Sequence, residues 1–157
     1  LTKSSISTCF FTLEIKTRTA PEFVDITDLV DTCVDESGID NGIAVIFSQH
    51  TTASIIIQEN EPLLLEDLAN TLERIAPRSG HYRHNDFDVR TVHMHEDECP
   101  NGHSHCQHLM LGASETIPLV NGSLSLGKFQ RVFLVELDDQ KASQVDHRKV
   151  LVQILGA

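Results

Sequence analysis

Seven of the nine histidines in this sequence (His81, His84, His93, His95, His103, His105 and His108) fall between positions 81 and 108. Neutral imidazole is the commonest protein ligand for zinc, copper and nickel, so this density raises metal chemistry first. A metal centre would need three side chains converging to about 2.0–2.1 Å from one ion, with a position left open if the site is catalytic. The spacing does not specify such a centre by itself. There is no H-E-x-x-H, and His103-Ser104-His105 cannot alone close a tetrahedron, although Cys99 could join them. The competing reading is plain solvation, which covers His81, His93, His95 and His108 in a polar loop. His50 differs because it sits between apolar strands. There, burial beside a hydroxyl neighbour such as Thr51 competes with a ligand role. His147, next to Arg148 and Lys149, reads as a surface residue.

The carboxylates divide in a similar way. Glu59, Glu61 and Asp67 bracket the start of an expected helix, where negative charge is favoured by the helix dipole. That structural account suffices for Glu61. Glu59 follows a buried-looking strand and precedes Asn60, a setting in which it could act as acid, base or ligand.

The elements that must position these groups can be read from periodicity. Thr8 to Lys16 alternates, with Cys9, Phe11, Leu13 and Ile15 on one face, as a half-buried strand does. Pro21-Glu22 opens a helical pattern through Phe23, Ile26, Val30 and Val34, with Gly38 beyond its end. Gly42 to Ser48 reads as a central strand and Ala53 to Gln58 as a second one, with Gln49-His50-Thr51-Thr52 at their junction. A second helix runs from Glu61-Pro62 to about Ile75, with Leu65, Leu68, Leu72 and Ile75 as its buried stripe, and Pro77 stops it. Residues 78–104 are polar, histidine-rich and without period, and a loop that long is usually functional or disordered. A short apolar stretch follows at His108 to Leu111. Thr116 to Val120, the turn Asn121-Gly122 and a return strand through Leu124 and Leu126 form a hairpin. Gln130 to Leu137 alternates, and Val150 to Leu155 is a last strand. The expectation is a single α+β domain over residues 1–157: a twisted antiparallel or mixed sheet with two main covering helices.

Composition narrows the function. The net charge is −11, from 12 Lys+Arg against 23 Asp+Glu, and an acidic surface repels phosphate backbones and anionic membranes while still allowing a local anion site. No stretch approaches the roughly 20 apolar residues of a membrane helix. Residues 1–5 show no apolar signal core, so the expected compartment is the cytoplasm. The four cysteines are scattered, and Cys9 and Cys33 read as buried thiols rather than a disulfide framework.

Four blocks then fall into a known order. His50-Thr51-Thr52-Ala53-Ser54-Ile55 followed by Gln58-Glu59-Asn60-Glu61 resembles the HTTASI…NEN signature of the YjbQ-like family. Tyr82-Arg83-His84-Asn85 resembles its Y.H(N/D) element. Asn101-Gly102-His103-Ser104-His105, leading into Leu111-Gly112-Ala113-Ser114-Glu115-Thr116, and Gly127-Lys128-Phe129-Gln130-Arg131 before Glu136, resemble two further segments. Together they span about Cys9 to Gly156.

The resemblance implies an α+β fold, a homotrimer, and a site where His50, His84 and His105 meet around a divalent ion: zinc, or magnesium with a diphosphate substrate. Glu59, Asn60 and Ser114 fall on other recurrent positions of the family. The activity attached to the family is secondary thiamine-phosphate synthesis, in which pyrophosphate leaves a benzylic-type carbon. Such a step needs charge stabilisation on the leaving group, from the metal and from Arg83 and Lys128. Glu59, with His50 and Asn60 beside it, would supply acid/base chemistry. Two departures stand out: Cys106-Gln107 replaces Ile-Lys after Ser104-His105, removing a lysine from a segment expected to face phosphate, and Phe129 replaces a more usual Trp. The expected function is a metal-assisted transferase acting on a small phosphorylated molecule. The alternatives are a metal-dependent hydrolase, or a trimer that binds a metal or small ligand without turnover.

Overall fold

The computed structural model describes residues 5–142 and 147–157. Eight strands and four helices follow in the order β1 (Ser7–Ile15), β2 (Glu22–Asp25), α1 (Thr27–Ser37), β3 (Gly42–Ser48), β4 (Ala53–Gln58), α2 (Pro62–Ile75), α3 (Gly102–Leu111), β5 (Ser114–Val120), β6 (Ser123–Leu124), β7 (Arg131–Glu136), α4 (Asp139–Ala142) and β8 (Arg148–Gly156). They build two antiparallel sheets, β1-β8-β3-β5-β6 and β2-β7-β4. At one end of the molecule the chain crosses between the sheets after β1, at the β3–β4 turn and between β7 and β8. A cleft lies at this end of the molecule.

The main core lies between the sheets. Ile26, just before α1, and Val30, Cys33 and Val34 of α1 pack there with Ala44 and Ile46 of β3, Val152 and Ile154 of β8, and Ile55, Val132 and Leu134 of the smaller sheet. A second cluster covers the other face of the smaller sheet: Phe133, Val135 and Leu137 against Leu72, Phe23 and Leu111. The smaller sheet is therefore covered on both faces, and Val132–Leu137 is buried throughout rather than alternating. The larger sheet is covered on one face only. Its outer side exposes Phe10, Ile43, Phe47, Val120 and Leu155.

Three sequence expectations need correction. The first helix starts at Thr27, not Pro21. Residues Glu22–Asp25 pair with β7 as a strand, and the Asp25 carboxylate accepts from the Thr27 amide (3.0 Å) and hydroxyl (2.7 Å) at the helix start. Phe23 and Ile26 looked like neighbours on one helical face but belong to different clusters. In α2 only Leu72 is buried, and Ile75 is 51% exposed. Residues 102–111 are helical, although residues up to 104 read as loop. The inward face of α3 is polar (His103, Ser104, Gln107), while Leu109 and Met110 point outward, so no apolar stripe marks the helix.

Other expectations hold. The hairpin turns at Asn121 (φ 51°) and Gly122 (φ 72°), both left-handed as a two-residue turn of this kind requires. The Glu61 carboxylate caps α2 by accepting from the amides of Leu63 (3.0 Å) and Leu64 (2.7 Å), with Pro62 opening the first turn.

Phe133 is fully buried and meets the Phe23 ring edge-on, with centroids 6.4 Å apart. Phe133→Ala is expected to lower unfolding free energy by about 3–5 kcal/mol in a urea titration. A loss under 1 kcal/mol would show that the second cluster is not a packed core.

Candidate functional site

A buried ion pair organises the end of the molecule where the chain changes sheets. Glu136 ends β7 in the smaller sheet and Arg148 begins β8 in the larger one; their side chains are 0% and 7% exposed. Arg148 donates from Nε (2.6 Å) and Nη2 (2.5 Å) to the two carboxylate oxygens. The carboxylate also accepts from the Thr17 hydroxyl and from the amides of Leu137 and Asp138. Arg148 Nη2 donates further to the Thr52 hydroxyl (3.1 Å), and Nη1 faces His50 Nδ1 at 3.3 Å. His50 is thus held at the β3–β4 turn by the next strand pair. Its Nε2 accepts from the Lys149 amide at 2.8 Å.

The other wall comes from α3 and a single 3-10 turn at Arg83–Asn85. Gly102 lets these two elements touch. A Cβ there would lie 2.5 Å from the Tyr82 Cβ, and the Gly102 amide donates to Asn85 Oδ1 at 2.9 Å. The contact brings the His84 and His105 rings together edge to face, with centroids 4.6 Å apart. Arg90 fastens the loop beyond them. Its guanidinium takes both oxygens of Glu98 (3.0 and 3.1 Å) and donates to the carbonyl of His93. Ser104, at the back of this wall, donates to the Leu137 carbonyl at 2.6 Å.

The enclosed space is a cleft of about 960 Å³ that includes His50, Arg83, His84, His105 and Arg148 in its lining. Its formal charge differs from that of the chain as a whole. Four basic residues (Arg83, Arg90, Lys141, Arg148) meet three acidic ones (Asp97, Glu98, Asp138) there, a balance of +1 against −11 for the whole sequence. Several imidazoles are held neutral. Burial, with Arg148 nearby, lowers the pKa of His50 below its usual 6.5, and Glu136 opposes this only partly. Burial and the neighbouring His84 lower His105. Burial also lowers His103, and it lowers His108 against a hydrogen bond to the His50 backbone.

Of the residues singled out from the sequence, the structure brings His50, Arg83, His84 and His105 to this cleft. Glu59 and Asn60 lie beyond the far end of β4, about 20 Å along the strand from the His50 turn. Asn60 there donates to Asp25, which also binds Arg131. Ser114 is exposed at the start of β5, and Lys128 lies over the exposed Phe129 ring, 5.1 Å from its centroid. Cys99 lines the cleft, with its thiol pKa raised by burial. Gln107, expected on a phosphate-facing segment, is buried and donates to the Ala76 carbonyl at 3.1 Å. Sequence reasoning did not select Arg148, Glu136 or Asp138.

The three histidines do not fit a metal centre in this arrangement. His84 and His105 are adjacent, but His50 Nε2 already accepts from the Lys149 amide and its Nδ1 faces a guanidinium, where a cation would be repelled. Among the described residues no group of three His, Cys, Asp or Glu side chains could hold an ion.

The description "UPF0047 protein YjbQ-like" matches residues 11–157. The chain belongs to the YjbQ-like family. A UPF0047 protein of Methanothermobacter thermautotrophicus is 37% identical over 144 residues, 92% of this chain and 90% of that one. The family protein YugU of Bacillus subtilis is 34% identical over 128 residues, 81% of this chain and 88% of its own. A crystal structure of a YbjQ-like protein of unknown function from Sulfolobus solfataricus superposes with a TM-score of 0.85 at 35% identity, covering 98% of this chain and 100% of that one. The YjbQ-like fold therefore extends across 98% of this chain.

The lowered histidine pKa values give this fold a defined acid sensitivity. The unfolded chain binds protons at these histidines near pH 6.5, whereas the folded chain resists them. The stabilisation is complete above about pH 6.5 and is lost as pH falls below that. Unfolding free energies measured from pH 8 to pH 5 are expected to decline below pH 6.5, and His105→Gln to flatten part of that decline. A flat profile would show that these imidazoles are not held neutral.

Proposed function

We propose that the cleft binds a small phosphorylated molecule and supports proton transfer on it, making the protein an enzyme of the transferase or hydrolase class. The observation that carries this reading is the pairing of His84 and His105 beside Arg83 in a cleft of small-molecule size. His105, kept neutral, is suited to take a proton near pH 7. The near-neutral charge of the cleft removes the repulsion an anion meets elsewhere on this surface. The Arg83 side chain is exposed and free to meet a phosphate. The resemblance to the family suggests thiamine-phosphate synthase-like transfer as the specific reaction: the thiazole ring nitrogen, which has no proton to lose, would attack the pyrimidine methylene, the C–O bond to pyrophosphate would break, and the His105 N–H would hydrogen-bond the departing pyrophosphate oxygen.

The same reading includes a homotrimer joined through the outer face of the larger sheet. The support is the apolar row exposed there, with Phe10 58% and Phe47 42% exposed, because soluble monomers rarely leave a contiguous apolar face open. Four free thiols favour a reducing compartment such as the cytoplasm. Among the described residues no helix is long and apolar enough to cross a membrane.

Pyrophosphate titrated calorimetrically into the protein is expected to bind, and Arg83→Ala to weaken it about tenfold. In an assay joining the pyrimidine diphosphate to the thiazole phosphate, His105→Ala is expected to lower turnover about 10–100-fold, the loss of one hydrogen bond to the charged leaving group. Pyrophosphate that does not bind, or turnover indifferent to His105, would remove this reading. Light scattering should report about three times the 17.5 kDa chain mass, and Phe47→Glu should shift it toward one. A wild-type monomer would exclude the trimer.

A further inference from the structure

The hydrogen bonds around His50 leave two donors facing each other. The Lys149 amide has one fixed hydrogen, and it points at His50 Nε2 from 2.8 Å, so Nε2 must carry the lone pair. The ring is neutral, which leaves its one proton on Nδ1. Nδ1–H then faces Arg148 Nη1 at 3.3 Å, and a guanidinium nitrogen has no lone pair with which to accept it. The rest of the guanidinium is committed: Nε to Glu136, and Nη2 to Glu136 and Thr52. Arg148 is itself 94% buried, with only 6% of its surface exposed, and it is one of the residues that line the cleft.

We propose that His50 Nδ1–H and Arg148 Nη1–H form a seat for one oxygen of a phosphoryl group at the floor of the cleft. One acceptor can lie about 2.9 Å from both nitrogens when these are 3.3 Å apart. A water satisfies the same geometry. An anionic oxygen does so with bonds roughly twice as strong, and it displaces the water. The carboxylate of Glu136 already balances the Arg148 charge, so the seat fixes position and direction while Arg83 at the rim meets the remaining charge. The assignment rests on the phosphorylated-ligand reading for the identity of its occupant. It also gives His50 the role of an anion-binding donor in place of the metal ligand implied by the family resemblance.

The test is a nitrogen-15 NMR titration of the histidine rings with inorganic phosphate at pH 7.5, with acetate at equal ionic strength as the control. The free protein is expected to show His50 protonated on Nδ1, and phosphate, but not acetate, to shift that signal saturably. His50→Ala should weaken phosphate binding tenfold or more, and His50→Asn, whose amide can donate from a similar position, should restore part of it. A thermal melt of each variant confirms that it is folded. His50 protonated on Nε2 would overturn the seat, as would unchanged phosphate affinity in His50→Ala. An equal response to acetate would overturn its assignment to phosphoryl groups. If phosphate moves His84 and His105 but leaves His50 alone, the seat fails while the phosphorylated-ligand reading survives. If no cleft histidine moves, both fail.

Discussion

The contact on which the rest depends is the pair between Glu136 and Arg148. Removing two such charges from water costs several kcal/mol per ion, and their attraction repays this only if the remaining hydrogen-bonding capacity is also satisfied. Here the carboxylate receives Arg148 Nε and Nη2, the Thr17 hydroxyl and two consecutive amides. Those partners come from β1's exit, β7's end and β8's start. The pair therefore joins the two sheets where their hydrogen-bonding ladders cannot, because β7 and β8 belong to different sheets. Removing either partner alone would strand a charge at 0–7% exposure, so the pair constrains this corner of the fold.

That constraint is also what builds the cleft. The chain changes sheet after β1, at the β3–β4 turn and after β7 at this end, and these crossings leave backbone outside any ladder. At the β3–β4 turn the Lys149 amide meets the His50 ring instead of a strand carbonyl. After β7, the Asp138 carboxylate accepts from the amide of Gln140 and from Asn101, which precedes α3. The polar groups that close the crossings are the ones that line the cavity. Architecture and candidate chemistry thus share side chains, and His50 is held by the Lys149 amide, next in the chain to the buried Arg148.

The sequence disclosed these parts unevenly, for physical reasons. Strands with one covered face, such as β1, alternate in burial as read; β7 was also read as a strand from an alternating pattern, but it is covered on both faces and its burial does not alternate. Helix α3 was hidden because its buried face carries Gly102, His103, Ser104 and Gln107, residues that patterning assigns to solvent. The histidines were visible as a cluster. Their division into a pair (His84 and His105) and a separately tethered ring (His50) was not, because it depends on which nitrogen meets which donor. Arg148 and Glu136 were missed for a related reason. In sequence they are charges beside strands, and nothing local tells a buried pair from a solvated one.

The missing lysine illustrates how position in the fold changes the meaning of a substitution. Read along the sequence, Gln107 in place of lysine removes a positive charge two residues from His105. On a helix, however, residues two apart point to different sides. His105 faces the cleft, while Gln107 is 3% exposed and donates to the Ala76 carbonyl at the end of α2. A lysine at that place would have to bury an ammonium against α2 or displace the contact that docks α3. The amide supplies the hydrogen bond with no charge to desolvate. The departure from the family pattern is therefore a matter of how α3 is seated on α2, and position 107 is not among the residues whose charges line the cleft.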